Sequence, residues 1–70
     1  MKIFDFINAC ALEWEVIRIF TDGEKGPKDI GSFFKFNEIP ESLLETEIDS
    51  WTVYEYSDGT RRTTEIDIYI

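Results

Sequence analysis

Five carboxylates, Glu38, Glu41, Glu45, Glu47 and Asp49, fall within twelve residues that contain no lysine or arginine. Two more pairs, Glu13 with Glu15 and Glu65 with Asp67, stand two residues apart in runs rich in β-branched and aromatic residues. Alternate residues of a strand share a face, which lines such carboxylates up about 7 Å apart. That spacing is close to the one between successive phosphates along a nucleic-acid strand. A row of this kind suits a groove lined by Arg and Lys. The plainer reading is that these acids are the solvated faces of a small domain kept soluble by its charge. For any single acid the plainer reading is preferred, whereas the distribution as a whole is served by either.

The whole chain carries the same bias: fifteen acids against seven basic residues in 70, no histidine and a formal charge of −8. Such a field draws basic surfaces and repels nucleic acid and anionic membranes, so neither of the latter is expected as a direct partner. Enzyme chemistries thin out by inventory. A serine or cysteine nucleophile needs a base, and without histidine only Lys, Asp or Glu remain. Cys10, the only cysteine, falls on an apolar stripe, where a thiol behaves as a small hydrophobe. It forms no intrachain disulfide and no Cys/His zinc site, and a reducing, cytoplasmic location fits. Glycine-rich phosphate loops are missing. A paired-carboxylate hydrolase needs a deep, partly dry cleft, for which the chain leaves little room. Asp22-Gly23-Glu24 and Asp58-Gly59 resemble fragments of calcium loops without the alternating acids or the terminal glutamate, and read as turns. No cofactor or metal is expected. Arg61-Arg62 is the only basic pair and is expected to meet acids across a sheet. The N-terminus has an acid, Asp5, inside its apolar run and reads as no signal peptide, and no apolar segment approaches the roughly 20 residues that span a bilayer.

The elements that must carry these residues form one domain over residues 1–70. A chain of this size buries only about 60% of its unfolded surface. Its aromatic residues, including Phe4, Phe6, Trp14, Phe20, Phe33, Trp51 and Tyr69, are expected to supply much of a thin core. Ile3, Phe6, Ile7 and Cys10 repeat at helical spacing and predict a helix over residues 2–11, with Asp5 in its first turn. Residues 13–20 read as a strand with Trp14, Val16, Arg18 and Phe20 on one face and Glu15, Ile17 and Ile19 on the other. Neither face is purely apolar, as in a central or bulged strand. Residues 21–29 read as a loop and 30–36 as a second strand. Pro40 opens one or two helical turns over residues 39–45. Residues 47–56 and 61–70 read as strands joined by an Asp58-Gly59 hairpin turn, the last with Ile66, Ile68 and Ile70 on its core face. The expected fold is α+β, a short N-terminal helix on a four-stranded, largely antiparallel sheet in the order α-β-β-α-β-β. The C-terminus should be structural, so trimming it should destabilise the fold.

The segment Ile39-Pro40-Glu41-Ser42-Leu43-Leu44-Glu45 leading into Glu47-Ile48-Asp49-Ser50-Trp51, and the terminal Glu65-Ile66-Asp67-Ile68-Tyr69-Ile70, are similar to segments of small phage proteins. As a type, this short, acidic, cysteine-poor chain resembles accessory proteins of bacteriophages and mobile elements, among them anti-CRISPR proteins and other DNA mimics. The resemblance implies a non-enzymatic inhibitor that works in a bacterial cytoplasm by covering the basic nucleic-acid groove of a host defence nuclease. Its expected contact face is Glu38, Glu41, Glu45, Glu47 and Asp49, with Glu13, Glu15, Glu65 and Asp67 as a second group. The alternative is an accessory or structural protein that self-associates, as a homodimer, through rings that Phe33, Phe34 and Phe36 place on both faces of one strand.

Overall fold

The structure, a computed structural model, describes residues 1–10 and 13–70. Helix α1 spans Ile3–Ala9, strands β1 and β2 span Val16–Gly23 and Gly26–Phe33, and a single 3-10 turn covers Phe36–Glu38. Helix α2 (Glu41–Leu44), β3 (Ser50–Ser57) and β4 (Arg62–Tyr69) follow. The four strands make one sheet in the order β2-β1-β4-β3. The expected α+β class and element order are present. The sheet is mixed rather than largely antiparallel: two antiparallel hairpins, β1–β2 and β3–β4, are joined by a parallel pairing of β1 with β4.

Isoleucine placement accounts for that order. β1 and β4 each carry isoleucine at alternate positions, and the parallel register sets Ile17 beside Ile66 and Ile19 beside Ile68. α1 lays Ile3 and Ile7 over this row, and Ile39 closes it from the connection between the hairpins. Among the described residues all seven buried apolar side chains are isoleucines, and covering each stabilises the fold by about 1.5–3 kcal/mol. The aromatic core expected from composition is therefore corrected. Phe6, Trp14 and Phe33 pack only partly against the isoleucines, while Phe4, Phe34, Phe36, Trp51, Tyr54 and Tyr56 are exposed. A single short helix on one face encloses a layer thin enough for compact branched side chains and leaves the rings on its rim.

α1 is shorter than the sequence pattern predicts. Its N-cap, Lys2, makes no side-chain cap; instead the Ile3 N–H donates to the Thr46 carbonyl at 3.0 Å and the Ile48 N–H to the Met1 carbonyl at 2.8 Å. A backbone bridge between Lys2 and Glu47 thus stands in for a cap. The helix ends at Ala9, and Cys10, half-buried against the core, is already extended. Ala11, the expected last helical residue, lies outside the described residues.

The expected loop at residues 21–29 is also corrected. β1 continues to Gly23 and β2 starts at Gly26, leaving Glu24-Lys25 as a two-residue turn. Gly26 has φ of +114°, a backbone that glycine adopts without strain. β2 ends at Phe33, so Phe34 and Phe36 lie beyond the strand that was expected to display all three rings. Glu13 and Glu15 precede β1 and share no strand face.

Candidate functional site

The five clustered acids ride on the connection between the hairpins, and their surroundings sort them. Glu38 accepts a hydrogen bond from the Phe34 N–H at 2.9 Å, folding its own loop. Glu45 pairs with Lys2 Nζ at 2.8 Å and Glu47 with the N-terminal ammonium at 2.7 Å. The ammonium holds the Glu47 carboxyl below its ordinary range through a hydrogen bond and its charge, and the hydrogen bond to Glu45 raises Lys2. Glu41 and Asp49 are exposed and form no ion pair among the described residues. Two acids thus tie down the N-terminus, one shapes a loop, and Glu41 and Asp49 face solvent unopposed.

The second group is dispersed. Glu13 is exposed, and Glu15 meets Arg61 at 2.6 Å. Glu65 and Asp67 do share a face of β4, the sheet face turned away from α1, but there they surround Arg18 of the neighbouring β1. The Arg18 guanidinium reaches Asp29 of β2 at 3.3 Å and Glu65 at 3.7 Å, and lies 5.2 Å above the Phe20 ring. Phe20 in turn stacks on Tyr69 at 5.3 Å. Asp67, beside Arg18 in register, is only 6% exposed and its Oδ1 has no hydrogen-bond partner. Burial first, then the hydrogen bond and charge of Glu65, push its carboxyl up to about 6. Three carboxylates share one guanidinium, so this cluster is partly neutralised rather than a free acidic row. Arg18 and Asp29 were not picked out from sequence, although an arginine on the polar face of a central strand is a signal that carboxylates flank it.

Of the aromatic candidates, Phe33 faces the core and Phe36 leans on Phe4 at 5.9 Å. β3, read from sequence as a strand but not picked out as a candidate surface, is exposed at every residue. Trp51 and Val53 lie on the α1 face, where Trp51 meets Phe6 at 5.0 Å, and Tyr54 and Tyr56 stack on the other face at 6.4 Å. Rings at both parities of one strand were the available signal.

The backbone of β3 has a definite polarity. Thr64 and Ile70 exchange hydrogen bonds with the β1 side, through Glu15 N–H to Thr64 O at 2.9 Å and Ile70 N–H to Phe20 O at 2.8 Å. Even-numbered β4 residues therefore turn their backbone toward β1 and odd-numbered ones toward β3. With Tyr69, Asp67, Glu65 and Thr63 opposite Ser50, Thr52, Tyr54 and Tyr56, these four β3 residues make the ladder bonds. Antiparallel alternation then leaves the N–H and C=O of Trp51, Val53, Glu55 and Ser57 directed at the open edge.

Among the described residues there is no pocket, and no three His, Cys, Asp or Glu side chains converge to hold a metal ion. No described helix is long and apolar enough to cross a membrane. What the molecule offers is surface: an acidic connection, an open face on which carboxylates ring Arg18, and an uncovered strand edge. No family model, curated protein or solved structure matches the chain.

Proposed function

We propose that this protein is a non-enzymatic inhibitor that binds a basic nucleic-acid-binding surface on a host defence nuclease, of the anti-CRISPR or anti-restriction kind. The observation that carries this reading is the charge of −8 together with Glu38, Glu41 and Asp49, carboxylates on one exposed connection that have no cationic partner among the described residues. Docking of two surfaces needs no cavity, and complementary charge speeds encounter and selects the partner. Glu45 and Glu47 contribute charge at the rim while holding Lys2 and the N-terminus. Glu15, Glu65 and Asp67 contribute less, because Arg61 and Arg18 already oppose them.

The test is capture from bacterial lysate on the chain immobilised through the exposed turn, as Lys25→Cys with a biotin label, which leaves both built-in termini alone. A single nucleic-acid enzyme retained at low salt, released at high salt and competed off by its own DNA or RNA is the expected result. Reversal of Glu38, Glu41 and Asp49 to lysine should abolish retention. Retention unchanged by those three reversals, or indifferent to salt and nucleic acid, would remove the reading.

A further inference from the structure

We propose that β3 is the seat of a two-fold homodimer, in which the β3 edges of two copies pair antiparallel and fuse two four-stranded sheets into one of eight strands. The strand is equipped for this. Trp51, Val53, Glu55 and Ser57 present unbonded backbone groups to the edge, and an exposed edge of this length without proline, lysine or a bulge is a template for another strand. The occupant is a second copy because the edge is complementary to itself. Its start carries Asp49, a carboxylate without an ion pair among the described residues; its far end carries Arg62 opposite Ser57, a largely exposed guanidinium that reaches Glu55 only at 3.9 Å, while Arg61 is taken by Glu15 and Asp58 by its own turn. Antiparallel pairing brings Asp49 of each copy toward Arg62 of the other, twice over.

Charge also narrows the register. Two-fold pairing centred on Val53 sets Trp51 against Glu55, Thr52 against Tyr54, Ser50 against Tyr56 and Asp49 against Ser57 of the other copy. Asp49 then stands on the same face as Arg62 and one strand away from it. A shift of one residue toward the start of β3 puts Asp49 against Glu55, and a shift of two toward its end puts Glu55 against itself. Like charges directly opposed are unfavourable in a sheet. In the Val53-centred dimer the two helices lie on one face of the joined sheet, and the stacked Tyr54 and Tyr56 of both copies form a continuous row on the other. The dimer leaves Glu38 and Glu41 free and shares only Asp49 with the inhibitor reading, so Arg62→Glu, at a residue outside that reading, tests the dimer separately.

Sedimentation of the untagged chain from micromolar to millimolar concentration should show a monomer–dimer equilibrium. Val53→Pro removes an outward N–H, leaves the β4 ladder intact, and should give a folded monomer. Asp49→Arg and Arg62→Glu should each weaken the dimer roughly threefold to tenfold, and the double variant should regain wild-type affinity. That recovery is independent of whether the proline variant folds. A wild-type chain that remains monomeric at millimolar concentration overturns the proposal. So does a dimer that survives Val53→Pro with the charge variants silent. Monomer alone, with β3 amides protected from exchange only by a lysine-rich strand-forming peptide, would instead make the edge a site for a basic partner segment.

Discussion

The β1–β2 and β3–β4 hairpins lean on the same isoleucine row but finish the sheet in opposite ways. β2 carries Pro27, Lys28 and Asp29, and an extra residue, Ile30, interrupts its register with β1 between Ile19 and Phe20. Proline removes a donor, charge repels a neighbouring strand and a bulge twists the edge away, so nothing pairs readily with β2. β3 has no proline and no bulge, carries Glu55 as its one charged residue, and runs in unbroken register over eight residues. The turns reverse the contrast. Asp58 stiffens the β3–β4 turn, its Oδ1 accepting the Thr60 and Arg61 N–H groups at 2.9 and 2.8 Å, which lowers its carboxyl. The β1–β2 turn has only Gly26 to shape it. A fold can therefore leave one edge open at little risk where the turn behind it is firmly set and the opposite edge is closed.

The largest expected effect tests what the hairpins share. Ile19→Ala or Ile66→Ala should cost about 2–5 kcal/mol and melt both hairpins in one transition; separate transitions by fluorescence and far-ultraviolet dichroism would show the halves to be independent. Next, proline should divide β3 by parity. Tyr54→Pro breaks a ladder bond to β4 and should cost at least about 2 kcal/mol more than Val53→Pro, read from urea midpoints. Equal costs would overturn the assignment of the outward backbone groups.

Asp67, on the strand that anchors the open-edged hairpin, gives a pH signature. Its carboxyl is raised from the ordinary 3.8 to about 6 in the folded chain, so the fold holds that proton more tightly than the unfolded chain does. The stabilisation is present below the ordinary value and is lost as pH rises through about 6. Asp67→Asn should therefore raise stability at pH 7 by about 1–3 kcal/mol and flatten the profile between pH 4 and 6; a variant that follows the wild-type slope would assign it to other acids. The smallest effects fall in the turns. Gly26→Ala and Gly59→Ala meet no atoms within 4 Å, so only the positive φ of +114° and +92° opposes them. Each should cost roughly 1–2 kcal/mol, with the β1–β2 turn suffering more because no side chain braces it.

Much of the fold was legible because local chemistry and tertiary role agreed. The spacing of Ile3 and Ile7, the Ile66-Ile68 alternation and Asp58-Gly59 each state their structure unaided, and Arg61 and Arg62 do meet Glu15 and Glu55 across the sheet. The first half of β2 was not legible, since Gly-Pro-Lys-Asp has the composition of a loop and is held extended only by pairing with β1, whereas its second half falls in the strand expected over residues 30–36. The candidate site was half legible. The acids of the connection could be found by counting, but which of them the N-terminus and Lys2 consume depends on a contact between residues more than forty positions apart.

The sequence by itself determined the charge, the α+β class, the faces of β1 and β4 and the hairpin at Asp58-Gly59, because period, propensity and turn chemistry act over a few residues. Only the tertiary structure decided that β1 and β4 meet in parallel at the centre, that isoleucine rather than aromatic rings fills the core, and that β3 is left at an edge. Those outcomes depend on which faces compete for one thin interior, and the strands with two adjacent rows of isoleucine occupy it, leaving the ring-bearing strand with its backbone to the solvent.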